Sequence, residues 1–144
     1  MSIDRRALGR AFGSASSRYD EVALLQRTVR RELLERLDHF SATPKVVIDL
    51  GAGTAAATRE LKARYPTATV VAADLSLGML RHAQKASGWL DRLWASKRIE
   101  MAAIDAHRLP FRSGSVDLIF SNLMLQWCDL DEVFGEVRRV LSPQ

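Results

Sequence analysis

An α/β fold built on a parallel sheet is predicted by three observations in this chain. Short apolar strands alternate with stretches of helical periodicity, each strand ends in polar residues, and glycines follow the first strand at once. At 144 residues, 47% hydrophobic and 26% charged, the chain is long enough for one core and short for two, so a single domain is expected. Four strands are read from the sequence: Val46 to Leu50, Thr69 to Asp74, approximately Ile99 to Ile104, and Ser115 to Phe120. Right-handed crossovers through the intervening helices predict a three-layer unit with strand order 3-2-1-4. Its ligand crevice opens at the carboxyl ends of strands 1 and 4.

Ahead of the first strand, Val22, Leu25, Val29, Leu33 and Leu37 recur at intervals of three and four, which predicts an amphipathic helix over Asp20 to Asp38 packing on the sheet or covering the crevice. Ser41-Ala42-Thr43-Pro44 is the connecting loop. The first strand then breaks into Asp49-Leu50-Gly51-Ala52-Gly53-Thr54-Ala55. Glycines at 51 and 53 permit positive φ and leave no Cβ between backbone and ligand, and the helix former run from Thr54 stops before Pro66. Gly51 to Ala56 satisfies the G-x-G-x-x-G/A dinucleotide pattern, so a nicotinamide or flavin enzyme is one reading. Asp49 argues for another. A carboxylate beside the loop repels a pyrophosphate but attracts the ammonium and sulfonium of S-adenosyl-L-methionine, and the latter is the expected cofactor.

The second strand ends in Asp74, a carboxylate placed to accept from both ribose hydroxyls. Leu75-Ser76-Leu77-Gly78-Met79 opens the next helix, with Ser76 as N-cap and Leu75 and Met79 beside a flat adenine ring; an ordinary core contact is the alternative for Met79. Trp89, Leu90, Leu93 and Trp94 at helical spacing predict a small extra turn of helix. The third strand leads into Asp105-Ala106-His107-Arg108-Leu109-Pro110-Phe111. There Asp105 is expected to accept the adenine amino hydrogen, with the Ala106 backbone at the ring edge, while Leu109-Pro110-Phe111 packs beneath. The fourth strand ends in Ser121-Asn122-Leu123-Met124-Leu125-Gln126-Trp127-Cys128, and Asp131 to Leu141 reads as the helix after it. Asn122 sits nearest the strand end and is the expected cofactor or substrate contact.

Asp-x-Gly-x-Gly at 49–53, the strand-end Asp74, Asp105-Ala106 and the Leu-Pro-Phe tripeptide together resemble the Rossmann-like core of class I methyltransferases. Two segments, Ala11 to Gln26 and Ser121 to Cys128, are similar to the malonyl-acyl-carrier-protein O-methyltransferases of biotin synthesis, and Ser-Asn-Leu-x-x-Gln-Trp is the more discriminating. The resemblance implies methyl transfer to the free carboxylate of a malonyl thioester carried on an acidic acyl carrier protein. It implies an N-terminal segment folding over the cofactor, with Tyr19 orienting a ligand, and it places Gln126 and Trp127 on the substrate side. Simple packing is the alternative for Tyr19, and a core anchor for Trp127. A carboxylate acceptor is already ionised at neutral pH, so no general base is required. Methyl transfer to another small metabolite, a dinucleotide oxidoreductase and a cofactor-binding fragment without turnover remain alternatives.

By this reading residues 1–45 form a helical cap and 46–144 the cofactor-binding core of one methyltransferase domain. Such a core normally continues into three more strands, so the chain is expected to stop before strands 5–7. Strand 4 is then an apolar edge prone to pairing with another copy. The net charge of +4 gathers arginines in the first segment, Arg5, Arg6, Arg10, Arg18, Arg27, Arg30 and Arg31. They suit an acidic partner or a solvated helix face, and aromatic residues do not intersperse them as a nucleic-acid stacking surface would need. Neither a membrane-length apolar run nor a signal peptide is present in the sequence, and the expected setting is cytoplasmic without membrane association. The one cysteine, Cys128, reads as a buried thiol, and no metal-ligand cluster is seen.

Overall fold

The computed structural model describes residues 5–41, 43–86 and 98–143. Helix α1 spans Arg5–Arg36 and runs through a short 3-10 turn, Leu37–His39, toward strand β1, Val46–Leu50. Then follow α2 (Ala56–Arg64), β2 (Thr69–Asp74), α3 (Leu77–Ala86), β3 (Glu100–Ala103), β4 (Leu118–Phe120) and α4 (Leu130–Val140). All strand pairs are parallel in the order β3-β2-β1-β4. The predicted order 3-2-1-4 is the one observed.

Alternation along β1 builds the three layers. Ile48 and Leu50 face a core shared with Val133 and Val140 of α4, whereas Val47 faces Leu34 and Leu37 at the end of α1 and Ala57 and Leu61 of α2. On β2, Val70 joins the α1 and α2 side, and Ala72 meets Leu80 and Ala83 of α3 with Ala55 of the loop. Both faces of the sheet are therefore covered, the condition under which parallel strands read as unbroken apolar runs.

Side chains lock the layers. Asp117 accepts from the backbone N–H groups of Lys45 (2.8 Å) and Val46 (3.0 Å), joining the starts of β4 and β1, and those bonds hold its carboxyl below the usual range. Lys62, buried at 9% exposure, donates to the carbonyls of Pro66 (3.1 Å) and Ala68 (2.7 Å) and so closes the turn after α2. Arg30 of α1 meets Glu60 of α2 at 2.8 Å.

Three expectations are revised. The first helix begins at Arg5, not Asp20; Val22 and Leu25 are each 54% exposed, and among the described side chains Leu33 and Leu34 near its C-terminus, with Leu37 of the following turn, pack on the sheet. β4 is only Leu118–Phe120, because Asp117 is drawn to the start of β1 and Val116 forms a lone parallel bridge with Leu141. β3 is Glu100–Ala103, shorter by a residue at each end than the apolar run. The helical turn expected around Trp89, Leu90, Leu93 and Trp94 lies outside the described residues.

Candidate functional site

The glycine loop is turned inward. Gly51 and Gly53 adopt φ of +78° and +52°, and Ala55 adopts +58° without being glycine. The N–H groups of Gly51 and Ala52 both donate to the Ala73 carbonyl, at 2.8 and 3.0 Å, and that of Gly53 donates to Asp74 Oδ2 at 2.8 Å. Three successive amides are thus spent on β2. A pyrophosphate-binding loop presents such amides, with a helix N-terminus, to the anion.

The α2 N-terminus is answered by Asp49 in place of a ligand anion. Asp49 is 1% exposed, its Oδ2 accepts from Thr58 Oγ1 at 2.6 Å, and the Thr58 N–H also favours its charge. Burial outweighs these bonds and pushes the carboxyl up to about 6; Asp74 adds to the rise and Arg30 opposes it. The carboxylate therefore lies beneath the loop and not on its surface, a depth not expected from the motif. Its influence on a bound molecule is exerted as a field through the backbone.

Asp74 ends β2 with Oδ2 on Gly53 and Oδ1 on the Ser76 N–H at 2.8 Å. An ionised carboxylate has about four acceptor sites, so two remain for ligand hydroxyls. Ser76 caps α3 as expected, its Oγ accepting from the Met79 N–H at 3.3 Å. Leu75 and Met79 are 74% and 40% exposed, which removes the core alternative for Met79. A Cβ built on Gly53 would lie 3.8 Å from the Met79 methyl, in ordinary contact, whereas one on Gly51 would lie 2.5 Å from Met124 Cγ. Gly51 is required both by its φ and by Met124, and Gly53 has room above it.

Asp105 stands beside Asp74, because the Ile104 N–H donates to the Asp74 carbonyl at 3.0 Å. Its Oδ1 accepts from the His107 N–H (3.0 Å) and from His107 Nδ1 (2.7 Å), and these bonds hold the carboxyl below its ordinary value. Ala106 is buried at 9% exposure. Leu109 is 3% exposed, and the Leu-Pro-Phe loop is fastened to α4: the Leu109 N–H donates to Glu136 Oε2 (2.7 Å), and Arg139 donates to the carbonyls of Phe111 and Leu109, each at 2.8 Å. Leu109 and Phe111 pack into the core beside α4, while Pro110 is exposed.

At the end of β4, Ser121 Oγ donates to the Leu50 carbonyl at 2.8 Å, and Asn122 Nδ2 donates to the Gln26 carbonyl of α1 at 3.0 Å. Asn122 Oδ1 is buried without a partner, a condition that costs about 1–3 kcal/mol unless something fills it. Leu123 adopts φ of +54°, a strained conformation for a branched residue. Gln126 is exposed and Trp127 is 83% exposed, so Trp127 is not a core anchor. Cys128, expected as a buried thiol, is half-buried against the core with Sγ 3.1 Å from Met124 Sδ. Tyr19 lies on the α1 backbone and its side chain is outside the described residues.

Sequence reasoning brought together Asp49, Gly51, Ala52, Gly53, Asp74 and Asp105, all on adjacent strand ends and the loop between them. It missed Thr58 and Met124, whose roles arise from tertiary contact, and His107, for which the Asp-x-His spacing of a local side-chain turn was the available signal. Among the described residues no group of three or more His, Cys, Asp or Glu is placed to hold a metal ion, and no helix is long and apolar enough to cross a membrane.

The chain belongs to the methyltransferase domain family, whose profile matches residues 48–144. Among curated relatives it is 43% identical over 99% of its length to the malonyl-[acyl-carrier protein] O-methyltransferase of Methylovorus sp. (strain MP688), covering 48% of that protein, and 45% identical over 100% to the one from Halorhodospira halophila, covering 47%. It spans about half the length of these relatives. The crystal structure of geranyl diphosphate C-methyltransferase from Streptomyces coelicolor, solved with Mg2+, geranyl diphosphate and S-adenosyl-L-homocysteine, superposes with a TM-score of 0.66 at 19% identity. That match covers 81% of this chain and 44% of that one, and shows the class I fold.

The residues present fit S-adenosyl-L-methionine. Asp74 retains acceptor capacity, Gly53 leaves room for close approach, Asn122 Oδ1 is orphaned, and burial raises the cost of ionising Asp49, which a nearby cation would lower.

Proposed function

We propose that this chain is the cofactor-binding core of an S-adenosyl-L-methionine-dependent O-methyltransferase acting on the free carboxylate of a malonyl thioester held on an acyl carrier protein. The observation that carries the cofactor assignment is the inward loop: its amides are satisfied by β2 and a buried carboxylate occupies the α2 N-terminus, so the site favours a cation over a pyrophosphate. When bound, S-adenosyl-L-methionine supplies an electrophilic methyl group on positively charged sulfur.

The chain's own residues bind and orient. Asp49 contributes negative field below Gly51, Ala52 and Gly53, over which the methionine end lies close to the backbone. Asp74 accepts from the ribose hydroxyls, Asp105 accepts from the adenine amino group with Ala106 at the ring edge, and Leu75 and Met79 flank the ring. Asn122 supplies its unpaired Oδ1. Tyr19 orients a ligand from α1, and Gln126 and Trp127 shape the substrate side. The acceptor carboxylate arrives ionised, so alignment and exclusion of water suffice without a base. The substrate assignment is supported by the names of the relatives and by the Ser121-to-Trp127 segment.

Among the described residues β4 pairs only with β1, and we infer that its other edge is covered by further chain or by a second copy. The arginines of the first segment suit an acidic carrier protein.

Calorimetric titration with S-adenosyl-L-homocysteine and, separately, NADH tests the cofactor. Binding of the former alone is expected, weakened about tenfold or more by Asp74→Ala, which removes charge-assisted bonds. Binding of NADH alone would assign an oxidoreductase instead. Methylation of another small acid but not of malonyl thioester would replace the acceptor.

A further inference from the structure

Asp105 and His107 make a carboxylate–imidazole pair of the kind that elsewhere builds a general base, yet the second ring nitrogen is not free for that work. His107 Nδ1 lies 2.7 Å from Asp105 Oδ1, and His107 Nε2 accepts from the Asp129 backbone N–H at 3.0 Å. An imidazole that accepts at Nε2 from an amide is neutral there, so its proton sits on Nδ1 and is donated to Asp105. The Asp105 bond raises the basicity of the ring, as do Glu132 and Asp129 on the α4 side, but protonating Nε2 would forfeit the bond from Asp129.

The far anchor is firm. Asp129 is the N-cap of α4, its Oδ1 accepting from the N–H groups of Asp131 (3.1 Å) and Glu132 (3.2 Å), and α4 buries Val133 and Val140 completely. Both bonds that Asp105 takes from His107 fall on Oδ1, so the rotation of the carboxyl is fixed while Oδ2 takes neither. The loop is held to α4 a second time by Glu136 and Arg139 at Leu109 and Phe111. Losing His107 therefore leaves the loop attached.

We propose that His107 is a positioning residue: by bridging Asp105 to the capped end of α4 it sets the direction in which Asp105 presents Oδ2 to the amino edge of adenine. This rests on the reading that Asp105 accepts from adenine. The imidazole moves no proton in the reaction; it transmits the rigidity of α4 to a carboxylate on an exposed loop, and with it the preference for a 6-amino purine over a 6-oxo purine.

Two substitutions separate its two bonds. An asparagine amide reaches the Nδ1 position and still donates to Asp105, whereas a glutamine amide reaches the Nε2 position and still accepts from Asp129. S-adenosyl-L-homocysteine and S-inosyl-L-homocysteine are titrated calorimetrically into the unaltered chain, His107→Asn and His107→Gln, and long-range 1H–15N correlation reads the tautomer without ligand. The expected results are a proton on Nδ1 and an adenosyl preference cut about tenfold in both variants, a factor of one charge-assisted hydrogen bond, because each variant breaks one end of the bridge. An unchanged preference in either variant, or a proton on Nε2, would overturn the positioning role alone. Failure of the unaltered chain to bind S-adenosyl-L-homocysteine, or to prefer it to the inosyl compound, would instead overturn the cofactor reading and this role with it.

Discussion

Asp49 and Glu136 are both carboxylates tied to the frame of the crevice, and the structure drives them in opposite directions. Asp49, 1% exposed at the end of β1, has Thr58 as its partner and is pushed up to about 6 by burial. Glu136 on α4 is held down at about 2, first by Arg139, whose Nε and Nη2 meet its two oxygens at 2.7 and 2.8 Å, with the Leu109 N–H adding a further bond. Glu136 is a fastener, complete as it stands. Asp49 is a buried carboxyl whose ionisation burial opposes more than Thr58 and Arg30 favour it, and a cationic ligand would relieve that cost.

The largest effect expected is from Asp49→Asn, which removes the cost of ionising a buried carboxyl while keeping an oxygen for Thr58. Because the folded pKa of Asp49 lies above the ordinary 3.8, its contribution to stability is complete below about pH 3.8 and is lost as pH rises through about 6. The shift of about two units is worth roughly 3 kcal/mol, an upper figure for the gain of Asp49→Asn at pH 7. Urea unfolding at pH 7 and pH 3.5 measures it, and a gain equal at both would contradict the burial argument. The same substitution is expected to weaken S-adenosyl-L-methionine more than S-adenosyl-L-homocysteine, and to abolish a fall in the former's affinity as pH drops through about 6.

Glu136 gives the opposite limb. Its folded pKa lies below 4.5, so its contribution is present above about pH 4.5 and disappears as pH falls toward 2. Glu136→Gln is expected to lower Tm by several degrees at pH 7 and to flatten the acid side of the stability profile, leaving the loss of stability as pH rises through about 6 untouched. Thermal unfolding of the two variants across pH 2 to 7 shows whether the limbs separate. The smallest effect is expected at Trp127, 83% exposed, where alanine should change unfolding free energy by less than about 0.5 kcal/mol. A larger loss by denaturant titration would place the indole in packing that its exposure denies.

Much of the frame was legible because it depends on short-range periodicity. Apolar runs ending in Asp49, Asp74 and Asp105, with helix formers between them, leave few arrangements other than a parallel sheet ordered 3-2-1-4. Ser76 was readable as a cap because capping is local. The full length of α1 was less so, since Arg5 to Tyr19 carries no sustained apolar stripe. The brevity of β4 was hidden because Asp117 leaves the ladder to bind residues 71 and 72 positions away in sequence.

By itself the sequence determined the strands, their order, the glycine turn and the acids on adjacent strand ends, because pleat, helical period and turn conformation are properties of neighbours along the chain. Tertiary structure alone decided that Asp49 lies under the loop against Thr58, that Met124 covers Gly51, that Trp127 faces outward and that His107 spans from Asp105 to Asp129. Those facts depend on which distant segments share a layer and how much water is excluded between them. Desolvation, which moves the Asp49 carboxyl, is a property of that enclosure and not of any residue spacing.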